Sequence, residues 1–451
     1  MDHSEQLRRS GLFDTQVPRY TSYPPANHFG RATGRRHQGD WLAAIPDGSA
    51  VSLYLHIPFC KRLCWFCACR TQGTKSLRPV DAYIENLMTE VSILRTRLHP
   101  NIAISRLHLG GGTPTILGPA TMDRLLDHIL NSFPRAPGFE LSVEIDPTEA
   151  SDALLQTLAD HGMNRASIGV QDFDPQVQAA IGRPQSFEQT SRVVTVLRDA
   201  GVRSLNMDLL YGLPFQTAGS MTETALKVLA LEPDRLALYG YAHVPWMSKR
   251  QVMIDAATLP DAETRFSFAQ LAKRLFEADG FQPIGIDHFA RPTDGLAIAA
   301  GSGNLRRNFQ GYTDDGAAAL LGLGASAISR FPQGYVQNAA ATSAYVKHIL
   351  GGELAGMRGY ALTDHDRITA AMIEGLMCNF EIDGAALIRG NPKARPQIET
   401  ALDVLKRNFS DHVCMDAGVL RVRPESTPLI RIFANALDTF RSATKSHSSA
   451  I

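Results

Sequence analysis

The sequence predicts an α/β chain organised as a partial (β/α)6 TIM-like barrel, with an N-terminal strap before it and a small, mostly helical C-terminal domain after it. Two observations predict that class. Six short apolar or β-branched runs, at residues 51–57, 104–109, 139–145, 165–170, 204–210 and 235–241, alternate with longer segments of helical periodicity. Repeated units of this kind build a parallel sheet with right-handed crossovers. Each run also ends, on its C-terminal side, in a feature that is costly to bury idly: His56, the Gly110 to Thr113 turn, Glu144, Gln171, Asp208 and Tyr241. A curved parallel sheet gathers such ends at one mouth, the face that carries the chemistry in barrels of this type.

Taken in order, residues 1–50 form the strap. They are rich in Pro and Gly with little periodicity, and read either as a segment lying on the main domain or as one that touches the site. Residues 51–350 form the barrel domain. Its first helix is expected over residues 80–98, where Tyr83, Leu87, Val91, Leu94 and Leu98 share one stripe. Further helices are expected at residues 121–133, 150–161, 189–200 and 221–231. Residues 351–451 form the C-terminal domain. There Thr363 and Asp366 have the spacing of a capping box, with Asp in the usual Glu position, opening a helix through Leu376. A second helix at 399–408 and a hairpin-like run at 418–422 follow, and the set is read as a lid or docking domain over the mouth.

Charge excludes some partners. Forty-five basic side chains balance 45 acidic ones, so no global field favours nucleic acid or an anionic membrane, and no nucleic-acid partner is expected. The acidic, apolar-poor N-terminus does not read as a secretory signal, and the uncharged stretch at residues 316–329, rich in Gly, Ala and Ser, is too short to span a bilayer. The expectation is a cytoplasmic, monomeric protein with no membrane span.

The chemistry is concentrated in one loop. Four of the six cysteines, Cys60, Cys64, Cys67 and Cys69, fall within ten positions directly after the first strand. Thiolates so closely spaced suit a soft inorganic centre rather than a disulfide framework, which spreads its partners along the chain. The loop reads as an iron-sulfur site at the barrel mouth. Cys378 and Cys414 stand in apolar surroundings and are expected to be reduced, buried thiols.

These residues carry a family resemblance. Cys60, Cys64 and Cys67, with Phe66 just before the third, resemble the radical S-adenosylmethionine signature. More narrowly, the chain resembles the oxygen-independent coproporphyrinogen III oxidases of haem biosynthesis from Pro18 almost to its end. The motifs are Arg19-Tyr20-Thr21-Ser22-Tyr23-Pro24, Tyr54 to Cys60, His108 to Thr115, Gly169-Val170-Gln171-Asp172-Phe173, Asp208 to Pro214, Asp287 to Pro292 and Arg307 to Tyr312.

The resemblance implies an oxidoreductase in which Cys60, Cys64 and Cys67 hold three irons of a 4Fe-4S cluster, the fourth iron being open to S-adenosylmethionine. It implies that a 5'-deoxyadenosyl radical takes hydrogen from a propionate β-carbon, and that two propionates become vinyl groups in protoporphyrinogen IX. It places S-adenosylmethionine contacts at Tyr54, Gly111, Glu144 and Ile328. A second S-adenosylmethionine is implied at Phe66, Gly112, Thr113, Gln171, Arg183, Asp208 and Ala242. An electron donor such as a flavodoxin or ferredoxin is implied as well. No catalytic acid or base is assigned.

Two further points stay open on the sequence. Cys69 is either a proton or electron relay or a small buried residue, and the oxidase pattern has it where the related haem-chaperone pattern generally does not. The substrate's four propionates need local cations, for which Arg19, His288, Arg291, Arg306 and Arg307 are candidates. The alternative function is a haem-binding or haem-delivery protein that keeps the cluster loop without oxidase activity.

Overall fold

The computed structural model describes residues 3–440 and Ala450. Six parallel strands, β1 (Ala50–Ile57), β2 (Ala103–Gly111), β3 (Arg135–Ile145), β4 (Arg165–Gln171), β5 (Ser204–Tyr211) and β6 (Arg235–Gly240), lie side by side in chain order. Every expected run is a strand, and Tyr241 falls one residue past β6. The barrel stays open: the sheet has twelve strands. Beyond β1 it continues through Leu320–Leu323, paired parallel, and then the antiparallel Ile328–Phe331, Gly334–Asn338 and Gly356–Ala361. Beyond β6 it ends in the short antiparallel strands His288–Ala290 and Gln282–Ile284.

Helices α1 (Arg78–Arg95), α2 (Pro119–Ser132), α3 (Asp152–Asp160), α4 (Phe187–Asp199) and α5 (Ala218–Leu229) follow successive strands. Their starts are locally encoded: Ser151 caps α3, and Ser186 with Gln189 and Thr217 with Ser220 form capping boxes on α4 and α5. On α1 the buried stripe holds Tyr83, Leu87, Val91 and Leu94, but also the carboxylate of Glu90.

The strands alternate sharply. On β1, Val51, Leu53, Leu55 and Ile57 are fully buried in the main core, as are Leu107 and Leu109 of β2 and Leu141 and Val143 of β3. The intervening residues, among them Arg106, His108, Glu140, Ser142, Glu144, Ser167, Asn206 and Asp208, line the concave side instead. One face of the sheet is thus sealed by helices, and the other is a polar cleft instead of the packed interior of a closed barrel.

The strap is divided between two bodies. Leu7, Leu12, Val17, Tyr20 and Tyr23 join the core of the C-terminal part, whereas Trp41, Leu42 and Ile45 belong to the barrel core. Between them Arg19 and Thr21 reach the cleft. A helix at Arg35–Ala43, which the sequence reading left as irregular strap, packs beside the last strands of the large sheet.

The C-terminal part holds helices Asp364–Asn379, Gly384–Gly390, Arg395–Asn408 and Ile430–Leu437 around a three-stranded sheet. Thr363 and Asp366 exchange the two hydrogen bonds of the expected capping box. All six cysteines are free thiols; Cys378 is buried as expected, but Cys414 is exposed on the small sheet's outer strand, Val413–Asp416. On this edge strand only Val413 is buried, and the next three residues, Cys414 included, are exposed. Among the described residues no helix is long and apolar enough to cross a membrane.

Candidate active site

The cysteine loop is held at the mouth by backbone stitching. Gly112 N–H donates to Ile57 O at 2.9 Å and Thr113 N–H to Phe59 O at 2.8 Å, so the glycine turn after β2 lies directly on the loop's entry. Only glycine fits there: a Cβ on Gly112 would stand 2.6 Å from Phe59 O. On the far side Trp65 N–H donates to Ile181 O, and Thr74 N–H returns to Cys60 O at 3.0 Å.

Cys60, Cys64 and Cys67 all line the cleft, whose volume is about 760 Å³. Two donors already face their sulfurs: Arg183 Nη1 lies 3.4 Å from Cys64 Sγ, and Cys69 N–H lies 3.4 Å from Cys67 Sγ. Arg183 is anchored by Asp146 at 3.0 Å and by Gly169 O at 2.9 Å.

Opposite the loop stands Glu144. It accepts from Gly111 N–H at 3.0 Å and faces His108 Nε2 at 3.4 Å. Burial alone would raise this carboxyl, but the hydrogen bonds from His108 and Gly111 outweigh it and hold it below the usual range. The Tyr54 ring stacks on His108 with centroids 5.8 Å apart. His56 Nε2 donates to Arg70 O at 3.1 Å, which leaves Nδ1 to accept the Tyr54 hydroxyl at 3.0 Å. Burial depresses the His56 pKa and keeps the ring neutral, consistent with that tautomer.

The cleft also contains Phe66, Gly111, Gly112, Thr113, Gln171, Asp208 and Ala242. Gln171 adopts a left-handed backbone, φ 69°, at the end of β4. Asp208 is raised by burial, partly offset by hydrogen bonds from Asn206 and Ser167. Tyr54 and Ile328 are not part of the cleft wall. They remain neighbours, because Tyr54 pairs with Gly322, against which the Ile328 backbone packs.

Of the cation candidates, Arg19, His288 and Arg307 line the cleft. Arg291 instead pairs with Asp279 at 2.7 Å and covers Phe281, and neither it nor Arg306 reaches the wall. The sequence reading missed Asp287 as a site group. Burial would raise its carboxyl, but Arg307 and His288 hold it down at about 2. It also treated His108 only as part of a motif. The signal for His108 was the period-two run of polar residues through β2 and β3, since a strand that is apolar on one face and polar on the other borders water or a ligand.

The donor set fits an iron-sulfur cube. Among the described residues no three His, Cys, Asp or Glu converge on a point that would hold a single metal ion. A cube binds its thiolates through three separate irons, so its ligands need not meet at one point. Three cysteines on one wall, with N–H donors aimed at two of their sulfurs, meet that requirement.

A family model described as the radical SAM superfamily matches residues 54–228. The oxygen-independent coproporphyrinogen III oxidase of Paracoccus denitrificans is 54% identical, with 100% of both chains covered. The chain belongs to the oxygen-independent coproporphyrinogen III oxidases. The Escherichia coli enzyme of that name is 40% identical over 82% of this chain and 80% of its own. A solved structure of coproporphyrinogen III oxidase from Escherichia coli, described as a radical SAM enzyme, superimposes with a TM-score of 0.90 at 36% identity, covering 95% of this chain and 100% of the other. As a member of this family the protein uses a 4Fe-4S cluster and S-adenosylmethionine.

Proposed function

We propose that this protein converts coproporphyrinogen III to protoporphyrinogen IX by oxidative decarboxylation of two propionates to vinyl groups, without oxygen, in haem biosynthesis. The observation that carries the reading is likeness over the whole chain to enzymes named for that activity, together with one cleft that contains the thiolates, the glycine turn and Glu144. When bound, the cluster would supply the electron for cleaving S-adenosylmethionine, and the adenosyl fragment would take the propionate hydrogen.

The chain's own residues do the rest. Cys60, Cys64 and Cys67 would hold the iron, and Gly111 and Glu144 on the cleft wall, with Tyr54 and Ile328 as neighbours outside it, would bound the S-adenosylmethionine site. Glu144 accepts from its amino group, and Gly111 offers backbone with no Cβ in the way. Phe66, Gly112, Thr113, Gln171, Arg183, Asp208 and Ala242 border space for a second copy, one for each decarboxylation. Arg19 and Arg307 take a substrate carboxylate. Arg307 is buried with Nε and Nη1 lacking partners, and Arg19 forms no ion pair among the described residues. A buried guanidinium with idle donors is an anion site in waiting.

We place the enzyme in the cytoplasm as a monomer fed by a one-electron donor. No observation favours the haem-delivery reading. Anaerobic reconstitution followed by incubation with coproporphyrinogen III, S-adenosylmethionine and dithionite should give mono- and divinyl products on chromatography. Stoichiometric haem binding with no vinyl product would overturn the assignment.

A further inference from the structure

The chain is electrically balanced, yet the cluster loop and the segment bonded to it are not. Residues 61–80 and 242–254 together contain seven Lys or Arg and no Asp or Glu: Lys61, Arg62, Arg70, Lys75, Arg78, Lys249 and Arg250. The two segments are tied to each other. Ser248 Oγ donates to Cys67 O at 3.0 Å, Gln251 Nε2 to Phe66 O at 2.9 Å, and Arg250 Nη2 to Thr71 O at 3.1 Å. Lys61 and Arg62 are paired with Glu149 and Asp146, but Arg70, Lys75, Arg78 and Lys249 are exposed and form no ion pair among the described residues.

The same loop carries an apolar rim. Trp246, Met247, Val252 and Met253 are 62%, 69%, 71% and 61% exposed. Four such side chains within eight residues form a concentration that a lone surface leucine does not, and patches of this kind mark contact sites. None of the four lines the cleft, so the substrate does not account for them.

We propose that this face, the Trp246 to Met253 rim with the cations of Arg70, Lys75, Arg78 and Lys249, is the docking surface for a small acidic one-electron carrier protein. The inference rests on the proposed function, which needs an electron from outside the chain. Docking here sets the carrier against the outer side of the cluster loop. One electron leaves the carrier's reduced centre and is taken up at the cluster, with no atom transferred. Exposed apolar side chains beside unpaired charge of one sign suit a brief, salt-sensitive encounter. A membrane surface would answer to the same charges, but it would not explain why the rim is bonded to the cysteine loop itself.

The test uses the full-length reconstituted enzyme and the variants Lys249→Glu and Trp246→Ser. With dithionite as reductant, both variants turn over at the wild-type rate. With reduced flavodoxin as the probe carrier, the concentration giving half-maximal rate rises about tenfold in each. Calorimetry shows flavodoxin binding to the wild type that weakens at high salt and is reduced in the variants. Equal losses with both reductants, unchanged flavodoxin dependence, or binding to anionic phospholipid vesicles without binding to flavodoxin would each overturn the proposal. Failure of the oxidase reading would look different: flavodoxin would still bind, and dithionite-driven wild type would form no vinyl product.

Discussion

Arg183 and Cys64 are joined by a contact between guanidinium Nη1 and Sγ at 3.4 Å, and the same nitrogen lies 3.0 Å from Asp146 Oδ2. A hydrogen bond and a nearby positive charge at a ligand sulfur favour the reduced, more negative cluster. Arg183→Gln should therefore move the cluster's reduction potential downward. An anaerobic titration followed by electron paramagnetic resonance, without S-adenosylmethionine, reads this apart from any cofactor contact. An unchanged potential would show that the contact is not felt by the cluster.

Gly110 and Glu144 make a second pair. A Cβ on Gly110 would stand 2.6 Å from Glu144 Oε1, so Gly110→Ala pushes the carboxylate aside without removing it. Glu144→Gln keeps its place but loses its charge. Each should weaken S-adenosylmethionine binding by about tenfold to a hundredfold, the span expected for a hydrogen bond to a charged group. The double variant should bind little worse than either single one, because both changes disable the same oxygen atoms. Calorimetry on the reconstituted protein decides this, and additive losses would contradict it.

Much of this architecture was legible because each strand and helix announces itself locally. The runs ending at His56, Glu144, Gln171 and Asp208 needed only period-two alternation and a costly final residue to be read as strands pointing at a mouth. The Thr363 capping box was written in four residues. Pairings far apart in sequence were not legible. Nothing local says that Leu7 and Tyr20 bury themselves beside Phe433, or that Asp287 meets Arg307. Nor does local pattern separate Arg307 from Arg306: the two are adjacent, and their short strand turns one inward and leaves the other exposed.

Arg307 gives the third prediction. Its ring contact with Tyr312, 4.5 Å from guanidinium carbon to centroid, fixes its plane, and Asp287 Oδ2 lies 3.8 Å from Nη2. Arg307→Lys keeps the charge but loses the fork that matches a carboxylate. The KM for coproporphyrinogen III should rise by about tenfold or more, while S-adenosylmethionine affinity stays at the wild-type value. An equal loss of both affinities would mean that the substitution disturbs the cleft as a whole.

Glu90, which does not line the cleft, sets a pH dependence of stability. Its carboxylate is buried between α1 and the strands beyond β1, accepting from Tyr345 Oη at 2.7 Å, Gly324 N–H at 2.6 Å and Asn338 Nδ2 at 2.8 Å. Burial, opposed by those hydrogen bonds, drives its pKa from the ordinary 4.5 up to about 7. The folded chain thus holds this proton more tightly than the unfolded one. Its contribution to stability is full below about pH 4.5, declines as pH rises towards 7, and is flat above, a change of roughly 3 kcal/mol at most. Glu90→Gln removes the titration while keeping an acceptor for Gly324 and Tyr345. Anaerobic thermal unfolding should show the variant gaining on the wild type between about pH 4.5 and 7, and parallel Tm curves across that window would refute the assignment.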